Sequence, residues 1–338
     1  MAGPLNGKER AKSDLTAGAL ITVFGGSGFL GAHVVQALAR RGYRLRIAVR
    51  QPNLALYLKT SGGVGQIEPV QANIRDDASV AAAVAGASAV INLVGILYES
   101  GKQSFDAVQV EGAERVARAA KAAGVPVFIQ MSSLGADSDS ASDYSASKAA
   151  GEAAVRAIYP HAVILRPSVV FGPDDDFFNR FAGLARLLPV LPLIEGETRF
   201  QPVYVKDVAE AVARAVESDA FDGKVLELGG PAVLTMRAIW EQMLRITRRK
   251  RLLLPVPRFI ARIQALVLQF LPKPLLTPDQ LRALCVDNVV SAEAIAEGRT
   301  FEGLGIVPTS TDAILPAYLA RFRKRGQFEP GAEPLAQD

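Results

Sequence analysis

Tyr144 and Lys148 are the two residues of this sequence whose types and spacing point most directly to chemistry. They stand four positions apart in "DYSASK" (143–148), at the start of an Ala-rich run. On a helix, residues i and i+4 lie on one face, so both side chains are expected to point the same way. An ammonium group beside a phenol lowers the phenol's pKa from its usual value of about 10. The spacing therefore leaves two roles open: Tyr144 donates a proton in a reaction, or the two residues are merely inherited and only hold a cofactor.

A glycine-rich loop, "VFGGSGFLG" (23–31), follows the first apolar run and opens a helical pattern. Such a loop lets backbone amides approach a pyrophosphate, and the helix N-terminus adds partial positive charge. The alternative is a purely structural turn, but the position at a strand–turn–helix junction favours dinucleotide binding. The residues of the loop that we predict to bind the cofactor are Gly25, Ser27, Gly28, Phe29, Leu30 and Gly31.

The second strand pattern indicates which dinucleotide binds. NAD sites usually place an acidic residue at its end to hold the ribose 2′-hydroxyl. Here the stretch reads "RLRIAVRQPN" (44–53), without an acid. Arg46 and Arg50 alternate with apolar residues, and Arg50 at the tip is suited to bind a 2′-phosphate. The alternative is two solvent-facing arginines on a polar face. We predict NADPH as the cofactor.

Two further segments are expected at the same edge of the sheet. "ANIRDD" (72–77) follows the third strand pattern, where the adenine would lie, and Asn73 and Ile74 are the predicted contacts, with Arg75 as a further candidate. "NLVG" ends the fourth strand pattern, and its glycine allows the backbone to approach a ribose. The predicted contacts there are Leu93, Val94 and Gly95.

Alternating apolar and Ala-rich patterns predict the elements that must hold these residues. Strands are expected at 19–24, 43–49, 66–72, 87–94, 125–132 and 161–167. Helices are expected between them, at 28–40, 76–85, 104–123 and 144–158. Strands separated by helices imply right-handed crossovers. We predict an α/β fold, a Rossmann-like doubly wound parallel sheet with a smaller, mostly helical C-terminal region.

The sequence divides into three predicted parts. Residues 1–18 have no apolar core of a signal peptide and are expected to form a flexible arm. Residues 19–173 form the predicted NADP(H)-binding domain. Residues 174–338 form a mixed, mostly helical cap and docking region, and strands from about 200–230 are candidates to join the sheet. Within this last part, 235–251 reads as one amphipathic helix.

Composition narrows the class of protein. The net charge of +4 and the pI of about 9.2 favour an anionic partner, but the arginines are dispersed and no nucleic-acid-binding motif is present. One cysteine excludes an internal disulfide framework, and the presence of only two histidines argues against a zinc site, or any metal site, as the basis for catalysis. No run of 18 uncharged apolar residues is present to span a membrane.

These motifs together resemble the extended, epimerase-like branch of the short-chain dehydrogenase/reductase superfamily. The matching stretches, in order, are "GGSGFLG", "NLVG", "QMSS", "YSASK", "RPSVVFGP" and "QPVYVKDVAEAV". The resemblance implies that Tyr144 is the general acid, that Lys148 holds the nicotinamide ribose, and that Ser133 orients the substrate oxygen. It also implies that Ser132 and Pro167 lie along the cofactor.

The C-terminal third resembles one subfamily, the nucleotide-binding accessory subunits of respiratory complex I related to the mitochondrial 39-kDa subunit. The similar features are Asp279-Gln280, Asp287-Asn288-Val289-Val290, Pro316-Ala-Tyr318-Leu and Gly326-Gln-Phe328. The resemblance implies a tightly bound structural NADPH outside the electron path, which leaves Tyr144 idle. It implies other complex I subunits as partners, near the junction of the peripheral and membrane arms. The lack of a presequence indicates a bacterial form, on the cytoplasmic face of the inner membrane.

A segment at 258–271 bears on attachment. Treated as a helix, it gathers its large apolar residues within an arc of about 140°, just after the basic "RRKR" (248–251). We expect 248–271 to dock on a protein interface or on lipid headgroups; the alternative is an ordinary core helix.

The rival function is a free-standing NADPH-dependent reductase or epimerase acting on a sugar-nucleotide-like molecule through Tyr144. A cofactor-dependent sensor lacks a distinguishing residue.

Overall fold

The computed structural model describes residues 15–271 and 274–326. Seven parallel strands form the central sheet, in the spatial order β3-β2-β1-β4-β5-β6-β11. Their bounds are β1 Leu20–Phe24, β2 Arg44–Val49, β3 Ile67–Gln71, β4 Ala89–Asn92, β5 Val127–Met131, β6 Val163–Pro167 and β11 Val225–Leu228. Three two-stranded pairs lie outside it, made by β7 Val170–Phe171 with β10 Val203–Tyr204, β9 Arg199–Phe200 with β12 Leu234–Thr235, and β8 Val190–Leu193 with β13 Leu252–Pro255.

Helices cover both faces of the sheet and build most of the C-terminal region. They are α1 Phe29–Arg40, α2 Asp77–Val84, α3 Glu111–Ala122, α4 Asp143–Ile158, α5 Phe177–Leu187, α6 Val205–Glu217, α7 Met236–Ile246, α8 Arg258–Leu268, α9 Pro278–Ala283, α10 Ala292–Ala296 and α11 Thr311–Leu319. A 3₁₀ segment spans Pro52–Ser61, and a π-helical turn at Asp106–Val110 leads directly into α3. The sequence did not predict either irregular segment.

The alternation of side chains along each strand explains the layers. Along β1, Ile21 and Val23 join the apolar core under α1 and α6, whereas Phe24 joins the core under α2 and α3. Thr22 faces α2 and donates its hydroxyl hydrogen to the carbonyl of Ala83 at 2.9 Å. Both faces are therefore buried, as expected for a parallel sheet between helices. The predicted Rossmann-like fold is confirmed.

The division of the chain at 173 does not separate two structural layers. β11 pairs with β6 at one end of the sheet, and α6 packs against α1, although both elements come from the predicted cap. At the other boundary, Leu15 packs against the core and the Gly18 amide donates to the Gly42 carbonyl at 2.9 Å. The ordered fold thus includes the last residues of the predicted arm; 1–14 lie outside the described residues.

The C-terminal region has its own apolar core. Phe171, Phe178 and Trp240 are buried in it, and the Phe181 ring stacks on Trp240 with centroids 4.2 Å apart. The helix predicted over 235–251 ends at Ile246. Arg248 adopts φ +53°, a left-handed conformation that stops the helix, and the chain then continues as β13 beside β8.

Candidate functional site

The glycine loop connects β1 to α1 through contacts that leave no room for side chains. Gly25 has φ +77°, and its amide donates to the Ala48 carbonyl on β2. A Cβ on Gly31 would lie 2.3 Å from the Gly25 carbonyl oxygen, so α1 can approach the loop only because position 31 is a glycine. No side chain caps α1 at Gly28. The first turn of α1 therefore presents backbone N–H groups suited to a pyrophosphate.

The other loop residues predicted to contact the cofactor differ in what they offer. Ser27 is exposed, and its carbonyl accepts a hydrogen bond from the Tyr57 hydroxyl at 3.2 Å. The Phe29 ring packs against Gly172 and His33, and Leu30 packs into the apolar core. Phe29 and Leu30 can therefore contribute their backbone amides to an anion site, whereas their side chains support the fold.

Arg50 lies at the tip of β2, at the edge of the sheet where the glycine loop begins. Its guanidinium is exposed and donates to the Gln103 amide oxygen at 2.7 Å. Arg75, after β3, donates to the Lys102 carbonyl at 2.7 Å. Two guanidinium groups thus hold the loop after β4 beside the expected adenosine position. A fork of donors at this place suits a ribose 2′-phosphate.

Arg46 was predicted to join Arg50 in the cofactor site, but in the structure its side chain is engaged elsewhere. Its guanidinium donates to the carbonyls of Ala83 and Ala85 at 2.8 and 2.7 Å. These carbonyls lie at the C-terminal end of α2, where helix carbonyls lack intrahelical partners. Arg46 precedes the strand tip by four residues, so its side chain reaches the helix and supports it rather than a cofactor.

Asn73 and Ile74 are occupied by local contacts. The Asn73 side-chain oxygen accepts the Arg75 amide at 3.1 Å, and the Asn73 amide donates to Ser79. Ile74 is buried against Gly112 of α3. The segment therefore sets the shape of the adenine side of the site, with Ile74 acting as a core residue.

Tyr144 and Lys148 lie on one face of α4, which begins at its N-cap Ser142. The Lys148 ammonium lies 5.8 Å from the Tyr144 ring centroid, and the Phe105 ring stands edge-on to the Tyr144 ring. A Cβ on Gly95 would lie 3.0 Å from the Lys148 ammonium. The "NLVG" turn after β4 and the "YSASK" helix therefore meet at Lys148, as a ribose-binding site requires.

The acid–base state of the pair differs from the prediction. Burial raises the pKa of Tyr144, and the Ser133 hydroxyl partly opposes the shift. Burial lowers the pKa of Lys148 to about 8, and Glu152 partly opposes that shift. The expected lowering of the Tyr144 pKa by Lys148 is thus absent from the protein alone, because loss of solvation dominates for both groups.

Three buried polar atoms around this pair have no hydrogen-bond partner within the described ranges. They are the hydroxyl of Ser132, the side-chain oxygen of Gln109 and the hydroxyl of Ser133, which is close enough to Tyr144 to affect its pKa but makes no hydrogen bond of good geometry. Gln109 lies on the π-helical turn and donates to Ser147 at 3.0 Å. Unsatisfied buried polar atoms are rare and often mark a ligand position. Gln109 was missed by the sequence analysis; the π-turn that presents it has no sequence signal.

Asn288, from the C-terminal region, makes a further set of polar contacts beside the ends of β5 and β6. Asn288 accepts a hydrogen bond from the Ser168 hydroxyl at 2.6 Å and donates to the Leu134 carbonyl at 3.0 Å. The Leu134 amide in turn donates to the carbonyl of Pro167, a predicted cofactor residue. Asn288 therefore fixes the ends of β5 and β6, which carry Ser133 and Pro167.

The glycine loop, the Arg50 fork and the unsatisfied hydroxyls fit a phosphorylated dinucleotide. When bound, a nicotinamide would supply hydride chemistry. Tyr144 is then placed to give a proton to a carbonyl oxygen that Ser133 orients, and Lys148 to hold ribose hydroxyls. Between residues 15 and 326, omitting 272–273, no three His, Cys, Asp or Glu side chains are grouped to hold a metal. Over the same residues, no helix is long and apolar enough to cross a membrane.

Comparisons with known proteins agree with this geometry. Residues 21–229 match the model of the "NAD dependent epimerase/dehydratase family". Subunit 9 of the NADH dehydrogenase [ubiquinone] 1 alpha subcomplex from Arabidopsis thaliana is 36% identical, over 91% of this chain and 79% of that protein. The NADH-ubiquinone oxidoreductase 40 kDa subunit from Neurospora crassa is 32% identical, over 91% and 80%. A ceramide reductase from Caulobacter vibrioides is 36% identical over 56% of this chain and 58% of its own.

Solved structures share the fold. The triphenylmethane reductase of Citrobacter superposes with a TM-score of 0.70 at 19% identity, covering 88% of this chain and 99% of its own. The quinone oxidoreductase QOR2 of Escherichia coli, in complex with NADPH, superposes with a TM-score of 0.67 at 20% identity, covering 89% and 99%. At these identities the superpositions establish the architecture alone.

Proposed function

This chain belongs to the NAD dependent epimerase/dehydratase family, in the group that contains the mitochondrial subunit-9 proteins, and we propose that it is an accessory subunit of a respiratory NADH:ubiquinone oxidoreductase. The observation that carries the proposal is the length of the match. It spans 91% of this chain and 79% of the Arabidopsis subunit, well beyond the 21–229 region shared by the wider family.

The proposed cofactor is NADPH, held as a structural element outside the electron path. Arg50 at the tip of β2 supplies positive charge where NAD sites carry an acid. Lys148, Ser132 and the glycine loop complete the set that would hold the dinucleotide. A ligand that binds only the folded chain stabilises it, and a hundredfold excess over Kd contributes about 2.7 kcal/mol. In this role Tyr144 closes the site but transfers no proton.

The proposed contact with the rest of the complex is the apolar face of α8 and the residues that follow it. The helix packs on the protein through Ala261 and Ala265, which are fully buried. Its large apolar side chains face outward and stay 37–83% exposed: Phe259, Ile260, Ile263, Leu266, Val267, Phe270 and Leu271. A core helix would bury these residues, so their exposure favours an interface.

The surroundings of this face favour the junction of the peripheral and membrane arms as its location. Leu252 and Leu254 of β13 are also exposed, and the basic run 248–251 directly precedes that strand. Exposed apolar side chains and a basic run close to them in the sequence suit both subunit contacts and anionic lipid headgroups. We place the chain on the cytoplasmic face of a bacterial inner membrane, as a peripheral protein.

A second function is favoured by one observation: Ser133, Tyr144 and Lys148 are all present and meet at one site, and a ceramide reductase is among the relatives. The corresponding activity is a free-standing NADPH-dependent reductase or epimerase. Such an enzyme exchanges its nicotinamide at every cycle, whereas a structural cofactor stays bound.

Affinity purification of a tagged chain from detergent-solubilised membranes separates the two functions. Recovery of the respiratory complex with the tagged chain, together with one tightly bound NADPH, is the result expected of a subunit. Recovery of the chain alone, with rapid exchange of its nucleotide, would instead support the reductase.

A further inference from the structure

The helix that presents Tyr144 and Lys148 is held at its start by a side chain from the far end of the chain. The Asp279 carboxylate accepts hydrogen bonds from the Asp143 amide at 2.7 Å and the Tyr144 amide at 3.1 Å, and from the hydroxyl of the N-cap Ser142 at 3.0 Å. A carboxylate is favoured there because the amides of the first helical turn lack intrahelical partners and the N-terminal end of the helix dipole is positive. Asp279 therefore fixes the first turn of α4.

Asp279 is itself held firmly. Its side chain is only 13% exposed, and the Arg282 guanidinium bridges it to Asp143 at 3.0 and 2.6 Å. The short helix α9 that carries both residues starts with a capping box, in which Thr277 and Gln280 satisfy each other's backbone amides. Movement of α9 must consequently move, or release, the start of α4.

α9 also packs against α8, the helix with the exposed apolar face. The start of α8 is anchored by two hydrogen bonds from the Arg258 guanidinium to the Glu195 carboxylate, at 2.6 and 3.0 Å. α9 thus contacts both the candidate cofactor helix and the helix that carries the candidate docking surface.

We propose that Asp279 is a positioning residue that couples occupancy of the dinucleotide site to the order of α9 and of the docking surface on α8. A ligand held by Lys148 restrains α4, and the Asp279 hydrogen bonds pass that restraint to α9 and α8. By thermodynamic reciprocity, anchoring the docking surface strengthens dinucleotide binding by the same factor. The coupling rests on the proposed function only in naming the α8 face as the docking surface.

Hydrogen–deuterium exchange of the purified full-length chain, with and without NADPH, tests the coupling directly. In the wild-type chain, NADPH should slow exchange at the Asp143 and Tyr144 amides and across 258–284, besides the glycine loop. In Asp279→Asn, which keeps the side-chain size but loses the charge and one acceptor, slowing across 258–284 should disappear. NADPH should also bind about 5- to 20-fold more weakly, within the range of typical coupling factors.

Glu302→Gln is the matched control, since it removes one negative charge from an exposed turn outside α4, α8 and α9; it should respond to NADPH like the wild type. The coupling is overturned if NADPH leaves exchange across 258–284 unchanged in the wild type, or if Asp279→Asn keeps the full response. An unchanged wild-type response overturns the coupling even if the variant does not fold. Because the experiment uses the isolated chain, its failure is distinct from failure to co-purify with the complex.

Discussion

The Lys148 ammonium lies 5.8 Å from the centroid of the Tyr144 ring, yet burial favours the neutral form of both groups. It raises the pKa of Tyr144 and lowers the pKa of Lys148. In the protein alone Tyr144 is therefore protonated at neutral pH, while Lys148, with a pKa of about 8, is still mostly charged there but loses its proton more readily than an exposed lysine. A bound anion would further stabilise the charged form of Lys148 while leaving Tyr144 protonated. This relationship agrees with a lysine that anchors a cofactor and a tyrosine that need not react.

The first prediction concerns pH. The folded-state pKa of Lys148, about 8, lies below its ordinary value of 10.5, so folding opposes protonation. The destabilisation is complete below pH 8 and disappears as the pH rises through about 10.5, because the unfolded chain holds more protons in that window. Without nucleotide, the stability of the wild type relative to Lys148→Met should therefore rise between pH 8 and 10.5, by at most about 3 kcal/mol. Urea titrations at several pH values measure the difference; a constant difference would contradict it.

The second prediction separates the two arginines of β2. Arg50→Gln should weaken NADPH binding about 10- to 100-fold through loss of a charge-assisted contact, and leave NADH binding within about twofold. Calorimetric titration with both nucleotides checks this. Arg46→Gln is the matched control: it should lower stability by about 1 kcal/mol through its α2 contacts, without altering the preference for NADPH. Equal losses for NADPH and NADH in Arg50→Gln would argue against a 2′-phosphate site.

The third prediction uses two helical glycines. Gly31→Ala places a Cβ within 2.3 Å of the Gly25 carbonyl, which is rigid backbone, so it should destabilise the chain by about 1–3 kcal/mol and abolish dinucleotide binding. Gly183→Ala in α5 meets no atom within 4 Å and should stabilise by about 0.5–1 kcal/mol, because alanine favours helices. Thermal unfolding with and without NADPH compares them. Normal binding by Gly31→Ala would remove the glycine loop from the site.

The fourth prediction concerns the apolar face of α8. A double variant, Ile263→Glu with Val267→Glu, changes side chains that are 60% and 66% exposed, so stability should stay within about 0.5 kcal/mol. Association with membranes should be lost, because two charges would enter the interface. The control changes Val64 and Val307, which are also exposed, to Glu and should leave association intact. Membrane association retained by the α8 variant would place the docking surface elsewhere.

Local patterns were sufficient for the sheet, the glycine loop and the helix carrying Tyr144 and Lys148, because each depends on periodicity and neighbouring residues. The helix α4, expected over 144–158, spans Asp143–Ile158. The partner of Arg46 was missed, because it depends on where α2 ends in space rather than on the strand that carries the residue.

Long-range placement accounts for the remaining differences. Burial cannot be read from an i, i+4 spacing, so the direction of the Tyr144 pKa shift was predicted wrongly. The contacts of Asp279 with α4 join residues more than 130 positions apart, and the resemblance identified Asp279 without its role. The pairing of β13 with β8 likewise joins segments that carry no shared sequence signal.

The most direct test of the central claim is a blue-native gel of detergent-solubilised membranes, probed for this chain and stained for NADH dehydrogenase activity, with nucleotide measured in the excised band. Co-migration with a large active complex that contains NADPH is the predicted result. A chain found only in the soluble fraction, near its own mass of 35.9 kDa, would contradict the subunit proposal and favour the reductase.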